Sequence, residues 1–459
     1  MPHQRTWTAA VIAAAAILSG FVVVRHVAPT ASNKPFRPPA LTARAQGVQG
    51  AVTIVPDRAL RGSDPTPTPA PTPAPTPAPT PDPTAAPPST APAPVSTNPA
   101  PALPGTWFGV LQATAQHAGE ERGAGITVGA LELNWSSYEP APGQFDAGYA
   151  AQQRARADGL RAAGLNVVLD VGMQYPPGWV FNLDGNTRFV NQYGDVWHGP
   201  LSEDVPNAVF DGNVRNAEAA YIARVAADFG NNFYAVRAGG LLQNELRYPP
   251  ASASGHSNSY WAFDGNAQAH SPVPGWRPGQ AGPAQAQAFM DHYLNSLVDF
   301  QNWLIGTYRS HFPDAWLQLL KPSWGLRPGD VEQAVSRNLD GSTGAASWGT
   351  LSMGLDWQRQ VNALRDLHAQ LYCSWMERGD DGNTPNTMAP GHYLATLGAT
   401  RGLRTAGENA DPNAGGAMMT TVVQRARAWG FVGLMWLHEN SLYSSSASLG
   451  LYASLIRGA

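Results

Sequence analysis

Two short strings in this chain each place a glutamate where chemistry on a polar substrate is possible. One spans 244–249 (NELRYP) and contains Glu245, and the other spans 407–412 (GENADP) and contains Glu408. Each follows a short apolar stretch that reads as a β-strand, so each glutamate is predicted to end a strand. Two carboxyl groups that converge from different strands are what acid/base cleavage of a glycosidic bond requires. The pair therefore predicts a site for cleaving sugar linkages.

Further candidates for binding a sugar substrate lie beside the pair or at the ends of other predicted strands. They are Glu132, Asn244, Arg247, Lys321, Ser374, Glu377, Asn409 and Trp436. Amide, hydroxyl and charged groups hydrogen-bond sugar hydroxyls, and the face of an indole ring stacks on sugar C–H surfaces. Each has a plainer interpretation as well, namely an ion pair or a solvated side chain for the charged residues and core packing for Trp436.

The elements that would position these residues alternate between strands and helices from 105 to 459. Strands are predicted at 107–114, 127–133, 166–172, 236–243, 316–320, 370–375, 403–406 and 430–436, and helices include 150–163, 216–228, 284–310 and 356–369. Eight such units predict an α/β fold of the (β/α)8 TIM barrel type, in which active sites form at the C-terminal ends of the strands. The alternative, an open doubly wound sheet, lacks a Gly-x-Gly-x-x-Gly string after the first strand.

The first 104 residues predict two non-catalytic segments. No charged residue occurs from 7 to 24, and a helix of that length just crosses the hydrocarbon of a bilayer. Residues 1–29 are therefore predicted to be a membrane anchor, with a cleaved signal peptide as the alternative. Residues 30–104, dominated by Pro, Thr and Ala in their second half, predict a disordered linker. Both interpretations put the barrel outside the cytoplasm, either anchored at the cell surface or secreted.

Composition excludes several other classes of function. The formal net charge is -4 and the sequence pI is about 6.2, which gives no basic field for nucleic acid. The histidines show no metal-ligand spacing, and no nucleophile elbow or phosphate loop is present. Cys373 is the only cysteine, so no disulfide forms within the chain. The sequence thus predicts a monomer without metal or cofactor, acting on a poly- or oligosaccharide.

The two glutamate strings resemble glycoside hydrolase family 14, the β-amylases. In that family the general acid lies in a string E-L-R-Y-P, similar to 245–249, and the general base lies in G-E-N-A-L-P, similar to 407–412 with Asp411 in place of Leu. The resemblance implies that Glu245 protonates the leaving oxygen and that Glu408 activates water. The anomeric configuration would then invert.

Three other residues look like binding residues of the same family. Lys321 resembles its lysine after strand five, Glu377 its glutamate after strand six, and Glu132 a strand-two aspartate that binds the terminal sugar. The resemblance covers 107 to about 440.

A second resemblance points to a different stereochemical outcome. Asn244 directly before Glu245 resembles the retaining clan A barrels, including the family 42 β-galactosidases, where the strand-four glutamate is acid/base and a later one is the nucleophile. After strand three, 170–179 lacks the His-containing, Gly-rich loop with which β-amylases close over substrate. A retaining β-glycosidase is therefore one alternative, and a non-catalytic glycan-binding barrel is another.

Overall fold

The computed structural model describes residues 102–458 except 186, and these form a closed barrel of eight parallel strands. The strands are β1 (Trp107–Val110), β2 (Val128–Glu132), β3 (Asn166–Asp170), β4 (Ala235–Arg237), β5 (Trp316–Lys321), β6 (Ala369–Cys373), β7 (Arg404–Glu408) and β8 (Gly433–Trp436). Each pairs with its neighbour in sequence, and β8 closes on β1. The predicted (β/α)8 barrel is confirmed. The predicted anchor at 1–29 and the linker at 30–104, apart from its last residues, lie outside the described part of the chain.

Helices connect the strands and surround the barrel. They are α1 (Ala118–Ala124), α2 (Trp135–Tyr138), α3 (Ala147–Ala162), α4 (Gly212–Phe229), α5 (Gly265–His270), α6 (Pro283–His311), α7 (Asp330–Ser336), α8 (Gly344–Ser347), α9 (Trp357–Asn362), α10 (Pro390–Ala399), α11 (Gly416–Ala428), α12 (Ser441–Ser444) and α13 (Leu449–Arg457). Single turns of 3-10 helix occur at Gly178–Asn182, Leu201–Glu203 and Leu242–Asn244. Within the described residues no helix combines the length and the apolar composition needed to cross a bilayer.

Apolar side chains on both faces of the strands build two separate layers. Alternate residues point into the barrel lumen or toward the helices, so Leu320 belongs to the lumen layer and Leu319 to the helix-facing layer. The lumen is filled by pairing large with small residues: a Cβ on Gly433 would lie 1.8 Å from the indole of Trp107. Apolar residues on both faces explain why these strands read as nearly continuous apolar runs.

The fourth strand is much shorter than the predicted 236–243. β4 ends at Arg237, and the chain then doubles back. The two sides of this turn lie so close together that a Cβ on Gly239 would be 1.6 Å from the carbonyl oxygen of Asn244. Gln243 and Asn244 both adopt φ 56°, a left-handed conformation that is costly for residues other than glycine. Glu245 therefore lies on a tight loop after β4. The prediction that it ends the strand was wrong.

The predicted helix at 356–369 is also shorter, because α9 ends at Asn362. Beyond it, the carboxylate of Asp366 forms a buried ion pair with Arg309 of α6, with 2.8 Å between Oδ2 and Nε. This contact holds the segment 363–368, which connects α9 to β6, against α6.

One buried carboxyl group makes the stability of the barrel depend on pH. Glu121 of α1 is fully buried, and burial, followed by the nearby charges of Glu439 and Glu120, raises its pKa from 4.5 to about 8. Between those two values the folded state binds a proton that the unfolded state has lost, so the free energy of unfolding falls as pH rises through this range.

We expect the midpoint of urea unfolding to decrease from pH 5 to pH 9, and Glu121→Gln to flatten this decrease. The glutamine keeps the size of the carboxylic acid and does not ionise. A slope unchanged by the substitution would show that Glu121 is not the group responsible.

Candidate active site

Charged side chains close the lumen at the C-terminal end of the barrel. β2, β3, β4 and β7 end in Glu132, Asp170, Arg237 and Glu408. Register pairs Glu132 with Asp170 and Asp170 with Arg237, so these residues occupy one layer above the apolar lumen. This end of a (β/α)8 barrel is where active sites form.

Arg237 lies between two of these carboxylates. Its Nη1 donates to Glu408 Oε2 at 2.9 Å and its Nη2 to Glu408 Oε1 at 3.4 Å, while Nε lies 3.3 Å from Asp170 Oδ2. Burial lowers the pKa of Arg237, but Glu408, Tyr372 and Asp170 outweigh burial and raise it above its ordinary value. The guanidinium is therefore charged, and it is the cation hydrogen-bonded to Glu408.

Glu408 is also held by β6. The hydroxyl of Tyr372 donates to Glu408 Oε2 at 3.0 Å, and the Arg237 guanidinium lies 4.9 Å from the Tyr372 ring centroid. Both Glu408 and Tyr372 are fully buried.

The second glutamate reaches the same strand from the loop after β4. Glu245 Oε1 accepts a hydrogen bond from Ser374 Oγ at 2.7 Å, and its Oε2 accepts one from Arg247 Nε at 3.0 Å. Leu246 N donates to the carbonyl oxygen of Leu320 at 3.1 Å, which fastens the loop to β5.

β6 therefore brings the two glutamates together. Tyr372 binds Glu408, and Ser374, two positions further along, binds Glu245. Ser374 lies directly after the last residue of β6. Both carboxyl groups are therefore held near the C-terminal end of β6.

A pocket opens beside this pair, and it is lined by Leu111, Gln112, Ala130, Glu132, Asp170, Gln174, Tyr175, Ser202, Arg237, Gln243, Leu437 and His438. Neither Glu245 nor Glu408 is among the lining residues. Arg237 connects the pocket to Glu408, and Gln243, which accepts from Arg247 Nη2 at 3.3 Å, connects it to Glu245.

Glu132 is the predicted binding residue that lines the pocket. Its carboxylate accepts hydrogen bonds from Gln112 at 3.1 Å, Gln174 at 3.1 Å and Tyr175 at 2.9 Å. Burial and the adjacent charge of Asp170 raise the pKa of Glu132, against the opposing effect of the hydrogen bonds from Tyr175 and Gln112 and of the charge of Arg237.

Two predicted binding residues face away from the pocket. Lys321 is fully buried on the helix-facing side of β5, where Nζ donates to Gln301 Oε1 and Gln360 Oε1, both at 2.7 Å. Trp436 packs against Tyr452 of α13 with 6.3 Å between ring centroids. The position of Trp436 matches its plainer interpretation as core packing. Lys321 does not match its own, a solvated side chain, because it is buried and bound to Gln301 and Gln360.

Three other predicted residues shape the loops that carry the pair, namely Asn244, Asn409 and Glu377. Asn244 Oδ1 accepts from the backbone N–H groups of Gly239 and Gly240, while its Nδ2 donates to Asp170 at 2.9 Å. Asn409 exchanges hydrogen bonds with the backbone of Leu437.

Glu377 acts on the other side of the same loop. It accepts from the N–H of Ala410 at 3.1 and 3.0 Å and lies 3.4 Å from Arg378 Nε.

Asp170, Arg237 and Tyr372 were not among the site residues predicted from the sequence. A signal was available for Asp170, a charged residue in the buried apolar strand NVVLD. Arg237 is the second residue of the predicted strand 236–243, a position that does not indicate a strand end. For Tyr372 there was no signal, since a tyrosine within the strand AQLYC also fits ordinary packing. No group of three or more His, Cys, Asp or Glu side chains within the described ranges could hold a metal ion.

Comparison with known proteins agrees with this architecture. No protein-family model matches the sequence, and a search of curated proteins gives no match. The fold, however, is similar to the catalytic domain of β-amylase from Paenibacillus polymyxa, with 18% sequence identity and a TM-score of 0.59 over 78% of this chain and 99% of that one. In fold, the chain is similar to a β-amylase catalytic domain.

Two β-galactosidases are more distantly similar. They are the enzyme from the psychrophilic Marinomonas ef1 (14% identity, TM-score 0.47, 72% of this chain and 54% of that one) and the enzyme from Bacillus circulans sp. alkalophilus (12%, 0.47, 73% and 50%). The similarity to the β-amylase catalytic domain confirms the predicted resemblance to glycoside hydrolase barrels at the level of the fold.

Replacing Arg237 should expose the dependence of the site on its charge. Arg237→Met leaves Asp170 and Glu408 buried without their guanidinium, which we expect to lower the free energy of unfolding by about 3–5 kcal/mol. Adding Glu408→Gln removes one of the two uncompensated charges and should recover part of this loss. Urea unfolding of the single and double variants measures both effects, and equal losses in the two would contradict the proposed pairing.

Lys321→Met tests whether this lysine is structural. We expect the free energy of unfolding to fall by about 1–3 kcal/mol, because the side-chain oxygens of Gln301 and Gln360 lose their donor. KM for any cleaved glycan should change by less than about twofold. The double variant Lys321→Met, Gln301→Leu should recover part of the stability. A raised KM with an unaltered melting temperature would instead place Lys321 at the substrate.

Proposed function

We propose that this chain is an extracytoplasmic glycoside hydrolase that cleaves O-glycosidic bonds of a poly- or oligosaccharide with Glu245 and Glu408. The observation that carries the proposal is that two neighbouring residues at the C-terminal edge of the barrel each bind one of the carboxyl groups: Tyr372 of β6 binds Glu408, and Ser374, directly after β6, binds Glu245. The β-amylase-like fold supports the same reaction class. Placement outside the cytoplasm, through a membrane anchor at 1–29, belongs to this proposal as predicted from the sequence.

The surroundings of Glu408 fit the role of the anionic partner. A carboxylate that accepts hydrogen bonds from a guanidinium and a phenol is stabilised in its charged form, as a general base or a nucleophile must be. Glu245 also accepts hydrogen bonds from a guanidinium and a hydroxyl, so its role as proton donor to the leaving oxygen rests on the resemblance of its string 245–249 to the β-amylases. Glu132 and other residues that line the pocket would bind sugar hydroxyls.

In the proposed mechanism the pair works in the inverting sense of the β-amylases. Glu408 takes a proton from water as the water attacks the anomeric carbon, while Glu245 gives its proton to the departing oxygen. The retaining alternative, with Glu408 as nucleophile, is favoured by Asn244 directly before Glu245. Either reaction uses the same two carboxyl groups and differs in the separation between them.

Glutamine substitution tests the assignment. Glu245→Gln and Glu408→Gln keep the side-chain shape but remove the transferable proton or the negative charge, so each should lower kcat by about 10²–10⁴-fold or more on any glycan that the wild type cleaves. Glu332→Gln on the exposed face of α7 is the matched control and should leave kcat unchanged. Melting temperatures establish that the variants are folded.

The outcomes separate the candidate functions. Normal turnover by either active-site variant would refute the pair. Following the first product anomer by NMR distinguishes inversion from retention. A wild type that cleaves nothing on a broad panel, while both glutamine variants bind glycans normally, would favour the glycan-binding barrel.

A further inference from the structure

A third glutamate reaches the candidate active site from the connection between β3 and α4. Glu203 is the last residue of the 3-10 turn Leu201–Glu203 and is 4% exposed. Its Oε1 lies 3.7 Å from Nη2 of Arg247, the residue whose Nε donates to Glu245 Oε2 at 3.0 Å. One buried guanidinium is therefore shared by the carboxylates of Glu203 and Glu245.

The backbone of Glu203 is held in place within its own loop. Its N–H donates to the carbonyl oxygen of Pro200 at 2.9 Å, and its carbonyl oxygen accepts from Trp197 Nε1 at 2.8 Å. A Cβ on Gly199 would lie 2.4 Å from that same carbonyl oxygen, so the chain packs closely here. The turn thus gives the Glu203 carboxylate a defined position from which to hold a guanidinium of the next loop.

The guanidinium of Arg247 is in turn fixed at two of its nitrogens. Nε donates to Glu245, while Nη2 donates to Gln243 Oε1 at 3.3 Å and lies beside Glu203. Arg247 is buried, so water screens these charges only weakly. Because arginine keeps its charge and its donors at any pH a protein experiences, Glu245 Oε2 remains an acceptor whether or not the carboxyl group is protonated.

This contact assigns the transferable proton of Glu245 to its other oxygen. Oε1 faces the hydroxyl of Ser374 at 2.7 Å. A hydroxyl can accept a hydrogen bond as well as donate one, so Ser374 can bind Glu245 in the protonated and in the ionised form. The general acid would therefore carry its proton on Oε1.

A guanidinium beside a general acid creates a difficulty that a second carboxylate relieves. A neighbouring cation favours the ionised form of a carboxyl group, whereas a general acid must hold its proton until the leaving oxygen takes it. Glu203 places a negative charge beside the same guanidinium and offsets part of the positive charge that acts on Glu245. It also restrains Arg247, and through Arg247 the position of Glu245.

We propose that Glu203 is a positioning residue for the general acid, which shares Arg247 with Glu245 and so keeps Glu245 in place and able to hold its proton. When the bond between the anomeric carbon and the leaving oxygen breaks, the proton on Oε1 passes to that oxygen, and Arg247 stabilises the carboxylate that remains. The inference rests on the proposed function, because it concerns the proton donor of the same reaction. The turn that carries Glu203 also borders the pocket, since Ser202 lines it.

Leaving groups that differ in their need for a proton test this role. The probes are the phenyl and dinitrophenyl glycosides of glucose, galactose and maltose in both anomeric forms, together with soluble starch, all assayed with the full chain. Phenolate leaves poorly without a proton, whereas dinitrophenolate leaves without one. Glu203→Gln keeps the size of the side chain and removes its charge. It should lower kcat about tenfold or more for the phenyl glycoside and less than about threefold for the dinitrophenyl glycoside of the same sugar, and equal losses would overturn the inference.

A double substitution shows whether Glu203 acts through Glu245. On starch or a phenyl glycoside, Glu203→Gln should lower kcat with KM changed by less than about threefold, and Glu203→Asp, which keeps the charge, should recover part of kcat. In the Glu245→Gln background, Glu203→Gln should lower kcat by less than about a further twofold, because the proton donor is already absent. A second loss as large as the first would overturn the inference.

Asp204→Asn is the matched control. Asp204 directly follows Glu203 but pairs with Arg188, so its substitution loosens the same loop without changing the charge beside Arg247. It should affect the phenyl and dinitrophenyl glycosides equally, and a dependence on the leaving group as large as that of Glu203→Gln would overturn the inference. Melting temperatures establish folding. If Glu203→Gln does not fold, Glu203→Asp should show a smaller dependence of the same sign, and its absence would count against the positioning role.

Failure of this inference and failure of the proposed function give different results. If Glu245→Gln abolishes turnover of phenyl glycosides while Glu203→Gln behaves like Asp204→Asn, the hydrolase stands and the positioning role is wrong. If the wild type cleaves neither these probes nor any glycan of a broad panel, the hydrolase is wrong and the positioning role fails with it.

Discussion

The ion pairs of Arg237 are the interaction on which the candidate site depends. A guanidinium buried at the top of the lumen contacts Asp170 from β3 and Glu408 from β7, so one side chain ties together strands on opposite sides of the barrel. Buried ion pairs of this kind often stabilise a fold less than apolar side chains of the same volume would. The barrel fills the lower part of its lumen with such apolar residues. The charged layer above them is therefore better explained by chemistry than by stability.

Asp170 extends this arrangement to the other glutamate. Through Asn244 it holds the loop that doubles back after β4, and through Arg237 it holds the carboxylate at the end of β7. The loop is costly in itself, because Gln243 and Asn244 both adopt a left-handed backbone conformation. Its hydrogen bonds to Gly239, Gly240 and Asp170 offset this cost and fix the position of Glu245, so a residue outside regular secondary structure is nevertheless held rigidly.

Much of this organisation could be predicted from the sequence, because apolar runs separated by helical periods specify a barrel whatever their detailed packing. The inward or outward direction of individual side chains could not be predicted from the sequence. Both faces of these strands are apolar, so alternation does not reveal which positions face the lumen. Lys321 and Trp436 each follow a lumen-facing residue by one position, which is enough to turn them toward the helices. The same uncertainty concealed Arg237, whose role depends on its register with Asp170.

The sharing of one guanidinium by two carboxylates also constrains how this barrel can evolve. Loss of the guanidinium at position 237 leaves the carboxylates at 170 and 408 buried without their counter-charge, so a tolerated change at 237 requires compensating changes at its neighbours. Homologous chains should accordingly keep these three side chains as a set or replace them as a set, and isolated substitutions there should be scarce.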